Sequence, residues 1–165
     1  MEVIKNKEKE RKFLVKYLPE GYEEVRHNLI EQAYLSLLPE FRIRKIGNAY
    51  VKTEKGEGDF TRDEAEAPIS FETFLDLEKQ ACTPFLIKMR HYVPLSHGNI
   101  AELDVYRNIK DLLTVEVEFK SNEKANAFEI PDWFGREITY DKAFKNKNLA
   151  KALGENPKLE MKNLV

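Results

Sequence analysis

The 165-residue chain has one cysteine, one tryptophan, seven glycines and seven prolines. No stretch approaches the ~20 apolar residues of a membrane span. A single thiol, Cys82, cannot form an intrachain disulfide, which points to a reducing compartment. The opening MEVIKNKEKERK lacks the apolar core of a secretory signal, so a cytoplasmic protein with no membrane partner is expected. An excess of either charge is also missing, since 27 Lys and Arg stand against 29 Asp and Glu. Duplex nucleic-acid binders usually carry a basic excess, so no nucleic-acid partner is expected. There is no internal repeat, low-complexity tract or linker, and the length is that of one domain over residues 1–165. What the chain has in quantity is charge: 34% of its residues, against the ~25% usual in globular proteins.

Period two dominates the pattern. The runs Lys7–Val15, Leu29–Leu37, Glu40–Ile46, Ala49–Lys55, Thr61–Ala67, Pro84–Leu95, Ile100–Tyr106 and Leu113–Phe119 alternate or are rich in β-formers. Turn signals separate several of them, at Gly47-Asn48, Gly56-Glu57-Gly58 and His97-Gly98-Asn99. Helices are expected at about Tyr22–Asn28, Ser70–Gln80, Asn122–Ala127 and Tyr140–Leu153, with Ser70 capping the second. The polar tail from Gly154 either frays or packs as an appendage. About eight antiparallel strands in this length make a barrel or a tight sandwich.

The charges fall on one face of each strand. Residues i, i+2 and i+4 of a strand point the same way. Glu8, Glu10 and Lys12 therefore share a face, as do Arg42 and Arg44, Thr53 and Lys55, and Arg62, Glu64 and Glu66. Lys88 with Arg90, Glu102 with Asp104, and Glu116 with Glu118 complete the set, usually with an apolar residue between. A sandwich with a wet outer face is the plain alternative. Against it, these faces lack the Thr, Ser and Gln of solvated strands, and whole strands carry one sign. Like charges spaced this way are unfavourable unless something binds between them. Basic pairs suit polyanionic oxygens, and carboxylate pairs suit hard cations such as Mg²⁺ or Mn²⁺.

Glu8-Lys9-Glu10-Arg11-Lys12 resembles the ExExK signature that opens the CYTH superfamily, the triphosphate tunnel metalloenzymes. Further matches follow in the family's order: Gln32-Ala33-Tyr34-Leu35, Arg42-Ile43-Arg44, Thr53-Glu54-Lys55-Gly56, Arg62-Asp63-Glu64-Ala65-Glu66, Lys88-Met89-Arg90, Glu102-Leu103-Asp104, Glu116-Val117-Glu118 and Asn146-Lys147-Asn148. They cover residues 6–152. Departures are small, with Lys52 inserted before Thr53 and Ala33 standing where the family often has Gly.

The resemblance implies an α+β fold, an eight-stranded antiparallel closed β-barrel with helices packed outside. Its tunnel would bind a triphosphate through Arg42, Arg44, Lys55, Arg62, Lys88 and Arg90. Glu8, Glu10, Glu116 and Glu118, with Asp104 as a weaker candidate, would hold Mg²⁺ or Mn²⁺, one of whose waters would be the nucleophile. Glu64, Glu66 and Glu102 would orient the basic groups or a second metal, and Lys12, held by Tyr34, would position the attacking water. The implied reaction is hydrolysis of inorganic tripolyphosphate to pyrophosphate and phosphate by a monomer or homodimer, with ATP or thiamine triphosphate as further substrates. A class IV adenylate cyclase, a thiamine triphosphatase and a non-catalytic polyphosphate-binding module are the alternatives. The residues outside this set read as structural. Cys82 is expected to be packed or half-buried, and His27, His91 and His97 to be surface, flanking or turn residues. Phe13, Phe41, Phe60, Phe85, Phe119 and Trp133 are expected to pack the outer wall against the helices.

Overall fold

The computed structural model describes the backbone of residues 4–56 and 61–165, and the side chains of residues 9–56 and 64–165. Every alternating run forms a strand. They are β1 (Ile4–Val15), β2 (His27–Leu37), β3 (Glu40–Ile46), β4 (Ala49–Lys55), β5 (Thr61–Pro68), β6 (Leu86–Pro94), β7 (Ile100–Tyr106) and β8 (Leu113–Phe119). A short ninth strand, β9 (Phe134–Glu137), corrects the expected count of eight. It escapes the periodicity because four residues are too few to show one. Three helices interleave: α1 (Phe71–Glu78), α2 (Asn122–Asn126) and α3 (Asn146–Glu155). Ser70 caps α1 by accepting from the Thr73 N–H, as its position suggested.

All nine strands lie in one antiparallel sheet, in the order β5-β4-β3-β2-β6-β7-β8-β1-β9. The first half of β1 also pairs with β5, with Glu8 opposite Arg62, while its second half pairs with β8, with Glu10 opposite Glu118. Sharp reversals serve this order. Gly47 sits at φ 57° in the two-residue β3–β4 connection, a conformation that costs glycine little. The expected Gly56-Glu57-Gly58 turn, beyond Gly56, and Phe60 lie outside the described residues.

The apolar residues pack on the outside of the sheet and against one end of it. Phe13, Leu103, Val115 and Val117 pack with Phe119, Trp133 and Phe134, while Ala33, Ile43 and Phe74 join Phe41 and Phe85 beneath α1. A third cluster gathers Tyr34, Leu86, Tyr106, Phe144, Leu149 and Leu153 under α3. The aromatic residues assigned to packing are therefore found there, Phe60 apart.

Three expectations fail locally. The helix expected at Tyr140–Leu153 begins only at Asn146, after a short 3-10 turn at Lys142–Phe144. Tyr22–Asn28 is not a helix. Gly21 takes φ 78° within a turn, and the Arg26 carbonyl already accepts from the Tyr92 N–H at 2.9 Å, committing the chain to β2. Cys82 is exposed, in the loop after α1. Only its N–H is engaged, donating to the Tyr34 carbonyl at 2.8 Å. The tail packs rather than frays: Leu159 is 6% exposed within the α3 cluster, and Lys110 bridges to Glu160. Leu159→Ala should cost about 2–4 kcal/mol, as for other buried leucines. A urea unfolding midpoint equal to the parent's would show that the tail contributes no stability.

Candidate active site

The register forces the charged positions to one side of the sheet. Arg42 faces Tyr34 across β2–β3 and Thr53 across β3–β4, Arg90 faces Asp104, and Lys12 faces Glu116. Of these, Lys12, Tyr34, Arg42, Arg90 and Glu116 line a cavity of about 170 Å³, whereas Thr53 and Asp104 lie behind its lining. Of the residues expected at the site, Glu10, Lys12, Tyr34, Arg42, Arg44, Lys55, Glu64, Glu66, Lys88, Arg90, Glu102, Glu116 and Glu118 line it. The side chains of Glu8 and Arg62 lie outside the described residues. Parity on β4 is as expected, with Thr53 and Lys55 buried and Glu54 exposed.

The cations Arg42, Arg44, Lys55, Lys88 and Arg90 come from β3, β4 and β6, and the carboxylates Glu10, Glu102, Glu116 and Glu118 from β1, β7 and β8. Lys12 on β1, and Glu40, Glu64 and Glu66 on β3 and β5, place the opposite sign beside each group. One knot is tight. Arg90 donates to both Asp104 oxygens at 2.8 and 2.9 Å, and Lys88 meets the same carboxylate at 2.9 Å. Burial pushes the Asp104 carboxyl up, but Arg90 and Lys88 outweigh it and hold it below the usual range. With both oxygens spent on cations and 1% of its surface exposed, Asp104 anchors the basic wall.

Other ion pairs are longer. Arg42–Glu64, Arg44–Glu66, Lys55–Glu64 and Lys12–Glu116 are separated by 3.8, 3.7, 3.9 and 3.6 Å. Direct charge-assisted bonds run about 2.7–2.9 Å. Arg44 Nε and Thr53 Oγ1 are buried with no hydrogen-bond partner among the described residues, and a buried polar atom left unpaired is costly. Burial, with Arg42 and Arg90 nearby, pushes the Arg44 guanidinium down to about 10. Burial likewise pushes the Lys88 ammonium down to about 7, with Asp104 opposing. In both groups burial outweighs the neighbouring carboxylates.

The carboxylates show the converse strain. Glu10 is directly opposite Glu118, and Glu102 opposite Glu116. Partial burial, then Glu102, Glu10 and Glu116, raise the Glu118 carboxyl to about 7. Glu118 is exposed at the cavity mouth, so water screens part of this repulsion. Glu116 is pulled the other way. Burial raises it, but Lys12, Arg90 and Lys88 hold it far below the usual range. Among the described residues no three His, Cys, Asp or Glu side chains form a ready group of metal ligands. Mg²⁺ asks for less, since it keeps several waters and takes one or two carboxylates beside substrate phosphates. The facing pairs of hard oxygen donors fit such an ion.

Lys12 is held differently from the expectation. Its Nζ donates to the Phe144 carbonyl at 2.6 Å, whereas the Tyr34 hydroxyl accepts from Gln32 Nε2 at 2.8 Å. Burial pushes the Tyr34 hydroxyl up to about 12, so it is a hydrogen-bonding group at neutral pH. Glu40, Thr139, Lys145 and Lys147 also line the cavity and carried no assigned role in the sequence. Glu40 was within reach of the parity rule, two residues before Arg42. Lys145 and Lys147 flank the start of α3, where no period marks them. The Asn146 side-chain Oδ1 there accepts from the Tyr106 hydroxyl at 2.7 Å, tying α3 to the sheet. A wider cavity of about 810 Å³ shares Glu102 and Glu118 with the first, and Arg26, Tyr92 and Phe128 line it.

No family model matches the chain. It is 40% identical over 145 residues to an inorganic triphosphatase of Nitrosomonas europaea, covering 86% of this chain and 95% of the relative. A crystal structure of an inorganic triphosphatase is 39% identical, with TM-score 0.66, and the match covers 87% of this chain and 93% of that one. A Pyrococcus horikoshii protein at 22% identity shares the fold, with TM-score 0.55 over 92% of this chain and 96% of its own.

The raised Glu118 carboxyl has a readable consequence. A carboxyl with a raised folded pKa contributes stability that is complete below its ordinary value of 4.5 and lost as pH rises through about 7. In metal-free protein, Glu118→Gln should therefore raise the melting temperature relative to the parent increasingly from pH 5 to pH 7.5. A difference between the two that stays constant over this window would remove the charge crowding from the account.

Proposed function

The chain belongs to the CYTH superfamily of triphosphate tunnel metalloenzymes, and we propose that it hydrolyses inorganic tripolyphosphate to pyrophosphate and phosphate with the help of Mg²⁺ or Mn²⁺. The observation that carries this reading is the buried basic wall with its unpartnered Arg44 Nε, facing a crowded carboxylate wall across a small cavity. A linear polyanion bridging a metal and that wall answers both strains at once. The 40% identity to an inorganic triphosphatase supports the same substrate. The closed eight-stranded barrel is the finer reading of the sheet, supported by β1 pairing to both β5 and β8.

Roles follow from chemistry. Arg42, Arg44 and Arg90 suit bidentate phosphoryl contacts and Lys55 and Lys88 point contacts, and the resemblance gives Arg62 the same part. Glu8, Glu10, Glu116 and Glu118 would hold the cation, with Glu64, Glu66 and Glu102 orienting the neighbouring bases; Asp104 is better employed gripping Arg90 and Lys88. When bound, a divalent cation supplies charge neutralisation at phosphoryl oxygens. Water oxygen bonds to the terminal phosphorus as the bridging P–O bond breaks and pyrophosphate leaves. Lys12, fixed by the Phe144 carbonyl, is placed to orient the terminal phosphate or that water. Positioning and electrostatics carry most of phosphoryl-transfer catalysis, so no covalent nucleophile is needed.

The wider cavity supports a second reading, in which an organic triphosphate such as ATP or thiamine triphosphate is a side substrate. The Arg26 guanidinium lies 4.0 Å from the Tyr92 ring centroid there, a platform on which a ring can stack. One thiol, and no helix among the described residues long and apolar enough to cross a membrane, support a cytoplasmic setting. A small-molecule triphosphate is then the partner, for a monomer or homodimer.

Phosphate release from tripolyphosphate, ATP and thiamine triphosphate, with cyclic AMP detection, separates the readings. Tripolyphosphate with Mg²⁺ or Mn²⁺ should be the best substrate, and EDTA should abolish turnover. Cyclic AMP as the main product, or full turnover in chelator, would overturn the proposal. On β4, Lys55→Ala should lower kcat/KM by about 10²–10³, the usual effect of removing one transition-state donor. Lys52→Ala, off the cavity, should change it by less than about twofold. The reverse ranking would place the wrong face of β4 in the site.

A further inference from the structure

The outer face of β2 and β6 carries a feature that the triphosphate site does not use. His27 and His91 are direct cross-strand partners, with ring centroids 5.4 Å apart. We propose that His27 and His91 form a second metal site, distinct from the carboxylate cavity and selective for a borderline divalent ion such as Zn²⁺, Ni²⁺ or Cu²⁺.

Three observations support it. First, the separation suits chelation. An imidazole nitrogen binds Zn²⁺ at about 2.0–2.1 Å, so two rings meeting at a tetrahedral angle have centroids about 5.3 Å apart. Second, His27 is prepared as a ligand. Its Nδ1 lies 2.9 Å from the Val25 carbonyl, which can only accept, so Nδ1 carries the proton and Nε2 keeps its lone pair. A backbone carbonyl on the far nitrogen is the usual support of a metal-bound histidine. Third, His91 is 7% exposed, yet its Nδ1 is buried with no hydrogen-bond partner among the described residues. Burial, then His27, holds the His91 imidazole below its ordinary value, so the ring is neutral at neutral pH.

No third His, Cys, Asp or Glu completes a ligand group among the described residues. Water would fill the remaining positions. Ligand type separates this site from the other, since imidazole favours Zn²⁺, Ni²⁺ and Cu²⁺, while carboxylate and phosphate oxygens favour Mg²⁺ and Mn²⁺. An ion here would staple β2 to β6 beside Asn28 and Arg90, which are the next cross-strand pair.

Titration of the intact protein with Cu²⁺ in excess Mg²⁺, read by electron paramagnetic resonance, tests this directly. The expected result is one Cu²⁺ per chain with two coordinated nitrogens, displaced by Zn²⁺. His27→Gln and His91→Gln should each leave at most one nitrogen and weaken binding at least tenfold. Because His27 is exposed, His27→Gln should fold and turn over tripolyphosphate with Mg²⁺ as the parent does. Oxygen-only or single-nitrogen coordination in the parent would overturn the proposal. So would a two-nitrogen signal that survives His27→Gln, which would assign the ion to other donors such as His97.

Discussion

A dense set of charges is buried on one face of the sheet, and the rest of the molecule is arranged around that constraint. Moving an uncompensated guanidinium or carboxylate out of water costs several kcal/mol. A sheet that turns its charged face inward must recover stability elsewhere. It does so by inverting the usual layout. The side chains that fill a typical sheet interior, among them Phe13, Leu103, Val115 and Val117, lie on the outer face under β9 and α2. A further cluster under α1 and another under α3 complete this support. The helices are few and short because they have to cover only the outer wall and one end.

Within the cavity, tight and loose contacts divide the work. The Asp104 knot fixes Arg90 and Lys88 with bonds of 2.8–2.9 Å, so these two cations hold their places whatever occupies the cavity. The pairs from Arg44 and Lys12 sit at 3.7 and 3.6 Å, near enough to temper the charge and too far to satisfy it. A preorganised site of this kind needs little rearrangement when a polyanion enters, which is what electrostatic catalysis requires. The carboxylate wall has the opposite need, which on the proposed reading a cation would meet. Metal and phosphate are thus complementary to two strains of opposite sign in one space.

Much of this was legible in the sequence, because a strand's period of two assigns faces without reference to tertiary structure. Glu10, Lys12, Arg42, Arg44, Lys88, Arg90, Glu116 and Glu118 all lie on the cavity face that parity gives them. What escaped was whatever has no period. Lys145 and Lys147 reach the cavity from the start of α3, and Thr139 from an irregular loop. The role of Asp104 was also beyond reach, since alternation tells which way a carboxylate points and not which cation claims it. The helix expected at Tyr22–Asn28 fails because apolar residues at Tyr22 and Val25 only mimic helical spacing, while the positive φ of the preceding Gly21 is a property of the folded backbone.

The central claim is that the two charged walls are destabilising apart and complementary through a metal–polyphosphate complex. Thermal denaturation with saturating tripolyphosphate and Mg²⁺, against either component alone, measures it most directly. Binding to the native state stabilises it by mass action, by about 2.7 kcal/mol at a hundredfold excess over Kd. The account predicts a clear rise in melting temperature with both present, larger than the two separate rises added together. An unchanged melt with both at saturation would contradict it.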